Sequence, residues 1–223
     1  VDAILAGLID GAALAAHLVD SEAGDVETET QPDARAIRLD GRRRMARVRQ
    51  REALRDVLPT PPATGEQYHI ISSAKWDFWT WVPAMIQWLG GRTDSLYCST
   101  WTASRAGITE LFELCDAGKI GSVGFLTGLY FKRRESAVYA TLLGGLRRRG
   151  HRYRAFPNHA KILLLCNEAR GDYLSIEGSA NLTSNPRTEQ YCITNDQALW
   201  TFYRDWFEES LAKIKEDKEA GKT

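Results

Sequence analysis

Residues 159–185 read HAKILLLCNEARGDYLSIEGSANLTSN: a histidine and a lysine two positions apart, an apolar run, a turn, an alternating run and a Gly-Ser-Ala-Asn turn. In an extended strand alternate side chains share a face, so His159 and Lys161 point one way and Ala160 the other. The turn formers of NEARG at 167–171 predict that KILLLC and DYLSIEG pair antiparallel around them. Such a hairpin returns Gly178, Ser179 and Asn181 alongside His159, with glycine allowing close backbone approach. An imidazole, an ammonium, a hydroxyl and a carboxamide then meet at one sheet end. That group suits a phosphate, with Lys161 bringing charge and Ser179 and Asn181 bringing hydrogen bonds. His159 can attack, or carry a proton, near neutral pH.

Upstream of the hairpin, strand and helix patterns alternate. YHIISSA (68–74), DSLYCSTWT (94–102) and IGSVGFLTGLY (120–130) read as strands, and HRYRAF (151–156) as an edge strand. SRAGITELFELCDAGK (104–119) reads as a helix with Ser104 at its N-cap, and RRESAVYATLLGGLRRRG (133–150) as a helix with cations in its last turn. A final helix begins near 196, its apolar face (Leu199, Phe202, Trp206, Leu211) fading into a charged tail. This order predicts an α/β fold, a mixed β-sheet flanked by helices on both faces, with one copy of the unit over 68–207. Trp76, Trp79, Trp81 and Trp88 are expected to pack a helix or an interface, a stacking platform for bases being the alternative.

The spacing H-x-K, apolar run, G-S-x-N resembles the signature of the phospholipase D superfamily, H-x-K-x4-D-x6-G-S-x-N. The matching residues are His159, Lys161, Gly178, Ser179 and Asn181, and Glu189 resembles the acidic residue that often follows the motif. Cys166 stands where the family has its aspartate, and the stretch from there to Gly178 exceeds the usual gap; Glu168, Asp172 and Glu177 are candidates to substitute. The resemblance implies two-step phosphoryl transfer, one histidine attacking phosphorus and a second protonating the leaving oxygen. His17, His69 and His151 lack a lysine two residues on, so the second histidine is expected from another copy of the chain. The implied assembly is a homodimer in which His159 of each copy flanks one phosphate, Lys161 and Asn181 of both copies stabilise the charge on its oxygens, and Glu189 orients a histidine. The implied activity is a metal-independent phosphodiesterase, with a nuclease ahead of two alternatives: a non-catalytic nucleic-acid-binding or assembly module, and an enzyme acting on a lipid or small phosphodiester.

The rest of the chain bounds this reading. Its 223 residues are 43% hydrophobic, enough for a sizeable core, and 29 basic side chains balance 29 acidic ones, so any nucleic-acid partner must be met by local patches. Such patches are expected at the mouth of the site from Lys132, Arg133 and Arg134, from Arg147, Arg148, Arg149, Arg152 and Arg154, and from Arg187; DNA is preferred to RNA as partner. Cys98, Cys115, Cys166 and Cys192 show no paired spacing and read as reduced core residues, which places the protein in the cytoplasm. No His, Cys and Asp cluster has ligand spacing, so neither metal nor cofactor is expected. Residues 1–20 are too short and polar for a spanning helix, and no membrane partner is expected. The expected domains are a helical and flexible extension over 1–64, the phospholipase D-like unit over 65–210 and a charged tail over 211–223. Within the extension a helix is expected over 3–19, a connector over 21–36 and a basic helix over 40–59, the last a solvated face or an arm for phosphates. PTPPATG at 59–65 reads as a linker.

Overall fold

The computed structural model describes residues 37–39, 43–48, 54, 58–73, 78–183 and 187–220, with backbone alone at 37–39, 43–48, 73 and 213–220. The expected helix over 3–19, the connector over 21–36 and Trp76 lie outside the described residues. The strands are β1 (Ile37–Leu39), β2 (Arg43–Val48), β3 (Gln67–Ser73), β4 (Thr93–Thr100), β5 (Ile120–Gly128), β6 (Arg152–Phe156), β7 (Ile162–Asn167), β8 (Asp172–Gly178) and β9 (Thr188–Asn195). The helices are α1 (Trp81–Trp88), α2 (Arg105–Asp116), α3 (Leu129–Arg134), α4 (Ser136–Arg148) and α5 (Gln197–Ala220). The strands form one sheet in the order β1-β2-β3-β9-β8-β7-β4-β5-β6. Three neighbouring pairs are parallel, β2 with β3, β4 with β5 and β5 with β6, and the other five are antiparallel. The fold is therefore α/β with a mixed sheet, as the alternation of patterns predicted.

Strand β7 shows why the apolar run sits at the centre. Leu163 and Leu165 join the core beneath α1, α2 and α4, while Ile162, Leu164 and Cys166 join a second core beneath α5. Burial of both faces makes an unbroken run of Leu residues favourable, at about 1.5–3 kcal/mol per buried side chain. The hairpin forms as expected, β7 pairing with β8 from Ile162 opposite Glu177 to Asn167 opposite Asp172, and Gly171 takes a φ of 68° in the turn. Ser104 caps α2, its Oγ accepting from the Gly107 amide at 3.1 Å. Trp79 and Trp81 are buried, and Trp81 meets Tyr191 with ring centroids 5.1 Å apart, so these tryptophans pack the core.

Helices α2 and α4 cross where α4 has no side chain. A Cβ on Gly145 would lie 2.0 Å from the Phe112 ring. Gly145→Ala, which in an open helix is stabilising, is here expected to lower stability by about 1–3 kcal/mol, read by chemical denaturation.

Two expectations need correction. The basic helix over 40–59 is, at Arg43–Val48, a strand, paired parallel with β3 so that Met45 lies opposite His69. Arginine-rich segments have good helix propensity, but the unpaired edge of β3 offers a ladder that local propensity does not see. The boundary at 64/65 consequently cuts across the sheet, for β1 and β2 belong to the compact unit spanning Asp33–Thr223. Residues 59–65 are a tied loop: the Tyr68 hydroxyl donates to Pro61 O at 3.1 Å, and Asn195 Nδ2 donates to Pro62 O at 3.1 Å. At the other end α5 continues to Ala220 and Leu211 is buried, so the chain has no break at 210/211.

Candidate active site

The strand directions decide where polar groups gather. Strands β2, β3, β4, β5, β6 and β8 end at one edge of the sheet, and β7 and β9 begin there. His159, Lys161, Ser179, Asn181 and Glu189 all belong to the residues at this carboxyl edge, the place where open α/β sheets receive ligands.

His159 lies on the short segment between β6 and β7 and is exposed. Its loop is held from beneath: Asn158 Nδ2 donates to Ser99 Oγ at 2.9 Å, the Ala160 amide donates to Asn158 Oδ1 at 3.0 Å, and Ser99 Oγ donates to Ala160 O at 2.9 Å. Lys161 is buried, and its Nζ lies 2.9 Å from His159 Nδ1 and 3.4 Å from Nε2 while donating to His159 O at 3.1 Å. Desolvation and, after it, the Lys161 charge hold the imidazole below the usual histidine range. The ring is therefore neutral near pH 7, with a lone pair to use. Desolvation also lowers Lys161, opposed by the negative charge of Glu189.

The turn after β8 closes the site. The Gly178 amide donates to Lys161 O at 3.3 Å, which seats the Gly-Ser-Ala-Asn turn against the lysine. Ser179 Oγ donates to Glu189 Oε2 and accepts from the Gln190 amide at 3.0 Å. Within one chain, then, Ser179 and Glu189 are directed at each other, where the residues led us to expect Ser179 on the phosphate and the resemblance Glu189 on a histidine. Asn181 Oδ1 accepts from the Thr100 hydroxyl at 3.5 Å, and its backbone O accepts from the Phe78 amide at 3.1 Å.

Cys166 is not at this edge. It lies five residues along from Lys161, roughly 16 Å away for an extended chain. Its thiol is buried, 3.3 Å from Ser95 Oγ, and burial raises its pKa. Of the three candidate substitutes, Glu168 and Asp172 sit at that far end, while Glu177 is paired opposite Ile162 at the near end and bonds Tyr203 of α5. Cys166→Ala is accordingly expected to cost about 1–2 kcal/mol of stability and to leave turnover unchanged, measured by denaturation beside an activity assay.

The arginines divide between the two edges. Arg147 and Arg148 end α4, Arg149 pairs with Asp116 at 2.5 Å, and Arg152, at the start of β6, pairs with Glu208 of α5 at 2.5 Å. Arg154 donates to Ser210 O at 2.9 Å. These residues line the amino edge or the face under α5, and the structure does not bring them to His159. Lys132, Arg133 and Arg134 follow β5 directly and do stand at the carboxyl edge, and exposed Arg187 precedes β9 there.

Sequence reasoning missed the groups that close β4 and β5. Trp101 stacks on Tyr130 with centroids 4.3 Å apart, and its ring centroid lies 5.5 Å from that of His159. Both aromatic residues follow directly on the ends of parallel strands, a position that itself marks a ligand-facing edge. Among the described residues no group of three or more His, Cys, Asp or Glu side chains is arranged to hold a metal ion. No helix among them is long and apolar enough to cross a membrane.

No protein-family model matches the chain, and no curated protein does. Among solved structures it is similar to a phospholipase D family member, Nuc from Salmonella typhimurium, with 14% identity, 56% of this chain and 83% of that one covered, and a TM-score of 0.42. It is also similar to polyphosphate kinase from Porphyromonas gingivalis, with 15% identity, 63% of this chain and 25% of that one covered, and a TM-score of 0.46.

Proposed function

We propose that the chain is a phosphodiesterase that cleaves nucleic acid through a phosphohistidine at His159, without a metal ion. The observation that carries this is the contact of an exposed, neutral imidazole with a buried ammonium at the carboxyl edge of the sheet. Lys161 donates to the lone pair that a nucleophile needs. An anionic phosphoryl oxygen is a stronger acceptor than neutral imidazole, so an arriving phosphate draws Lys161 to itself and frees the ring. The imidazole nitrogen then attacks phosphorus, the P–O bond to the leaving group breaks, and that oxygen takes a proton from a second imidazole. Water, deprotonated by the same second group, next attacks phosphorus, a new P–O bond forms, the P–N bond breaks and His159 leaves as the free imidazole. Lys161 stabilises the charge on the phosphoryl oxygens in both steps.

The second imidazole is His159 of another copy. A groove of about 450 Å³ lined by Ala160, Ile162, Phe202, Tyr203 and Trp206, with the carboxylates of Asp205 and Glu209, runs behind the His159 segment, and Phe202 is 67% exposed. Covering so large an apolar side chain favours association on this side. Sedimentation is expected to give twice the 25.0 kDa mass of the chain, and Phe202→Glu to give monomers that fold but do not cleave. A monomeric, active parent protein would remove the two-copy site.

The test of function is incubation with single- and double-stranded DNA and RNA in excess EDTA. Cleavage that survives the chelator is the expected result. Binding of nucleic acid with no cleavage of any of the four would instead make the protein a non-catalytic binding module.

A further inference from the structure

The carboxyl edge carries an aromatic and cationic row that the phosphoryl chemistry does not use. From the imidazole of His159 the row runs to Trp101, then to Tyr130, a residue 41% exposed, and then to Arg134, whose guanidinium carbon lies over the Tyr130 ring, 5.8 Å from its centroid. The Trp101 and Tyr130 planes are inclined by only 24°, a parallel stack in place of the edge-on contacts common in cores. The row is built in: a Cβ on Gly128 would lie 2.5 Å from Trp101 Cδ1, so the indole rests on the glycine backbone that ends β5. Beside it, exposed Arg133 and Arg134 supply positive charge on the helix that begins at Leu129.

We propose that Tyr130, backed by Trp101 and flanked by Arg134, is a stacking subsite for an unpaired nucleobase next to the phosphate at His159, so that the substrate is single-stranded nucleic acid. The proposal rests on the reading of His159 as the centre of a nucleic-acid phosphodiesterase. A planar ring with an adjacent guanidinium recognises a base by its π-face, whatever the base. In a duplex both faces of each base are covered by neighbouring base pairs, whereas a single strand offers a free face. One tilted ring contact and one stack from the imidazole place that face within the reach of the nucleotide whose phosphate His159 attacks.

The test uses fluorescence anisotropy in the His159→Ala background, where bound strands are not consumed. Three labelled probes of equal length are compared: a single strand, the same strand with every base removed, and a blunt duplex. The base-bearing strand is expected to bind about 5- to 150-fold more tightly than the abasic one, and Tyr130→Ala to erase that difference while Tyr130→Phe keeps it. Tyr130 lies at the surface, so the alanine variant is expected to fold, as its circular dichroism will show. Equal binding of base-bearing and abasic strands, or a Tyr130→Ala variant that retains the full preference, overturns the subsite and leaves the nucleic-acid reading in place. Failure of all three probes to bind overturns the nucleic-acid reading itself and the subsite with it.

Discussion

His159→Ala is expected to abolish hydrolysis, lowering turnover by on the order of 10⁴-fold or more, because in a covalent mechanism the nucleophile has no substitute. Other polar groups at the edge are tied to neighbours: Ser179 to Glu189, Asn181 to Thr100, and Asn158 to Ser99. On the proposed mechanism these groups shape the site, and none of them is the nucleophile. The imidazole is exposed, so its removal leaves the core intact and the melting temperature is expected to change little. Stability and activity thus separate cleanly in one variant. Residual cleavage at the parent rate, in a preparation shown free of contaminating nuclease, would end the phosphohistidine mechanism. A phosphoenzyme trapped by acid quench from the parent and absent from the variant would support it directly.

Lys161→Met is the second large effect. Methionine keeps much of the apolar stem in its buried seat while removing the ammonium, and loss of a preorganised donor to the phosphoryl oxygens is expected to slow turnover by about 10²–10³-fold. The variant also carries a pH signature that a packing defect would not. Desolvation lowers the His159 pKa first, and the Lys161 charge lowers it further. With the charge gone the imidazole binds its proton more tightly, so the acid limb of the rate profile moves to higher pH. In the parent protein the acid limb lies below the ordinary histidine range, since the neutral ring attacks and persists to lower pH than in a free histidine. The alkaline limb follows loss of the proton that the second imidazole gives to the leaving oxygen. An acid limb that stays in place in Lys161→Met would show that the ammonium does not act on the imidazole.

Much of this was legible in the residues themselves. The alternation in KILLLC and DYLSIEG, with turn formers between, specifies a hairpin because side-chain period and turn chemistry are local properties, and the observed register joins Ile162 to Glu177. The same locality makes Ser104 a helix cap and brings Lys161 and Gly178 together, the hairpin being only as long as the apolar run. Cys166 misled for a related reason: a motif read as a string counts residues, whereas a strand converts five residues into a distance that takes the thiol out of the site.

What the sequence by itself determined is the α/β order of elements and the group His159, Lys161, Ser179 and Asn181, since each follows from periodicity and turns within a few residues. Only the tertiary structure decided which edge each cation occupies, that Arg43–Val48 is a strand, and that Trp101 and Tyr130 stack beside His159. Those outcomes depend on pairing between segments far apart in the chain and on the direction each strand takes in the sheet. Arg152 and Arg133 look alike as sequence, yet one begins a strand and the other follows the end of one, which puts them at opposite edges of the same sheet.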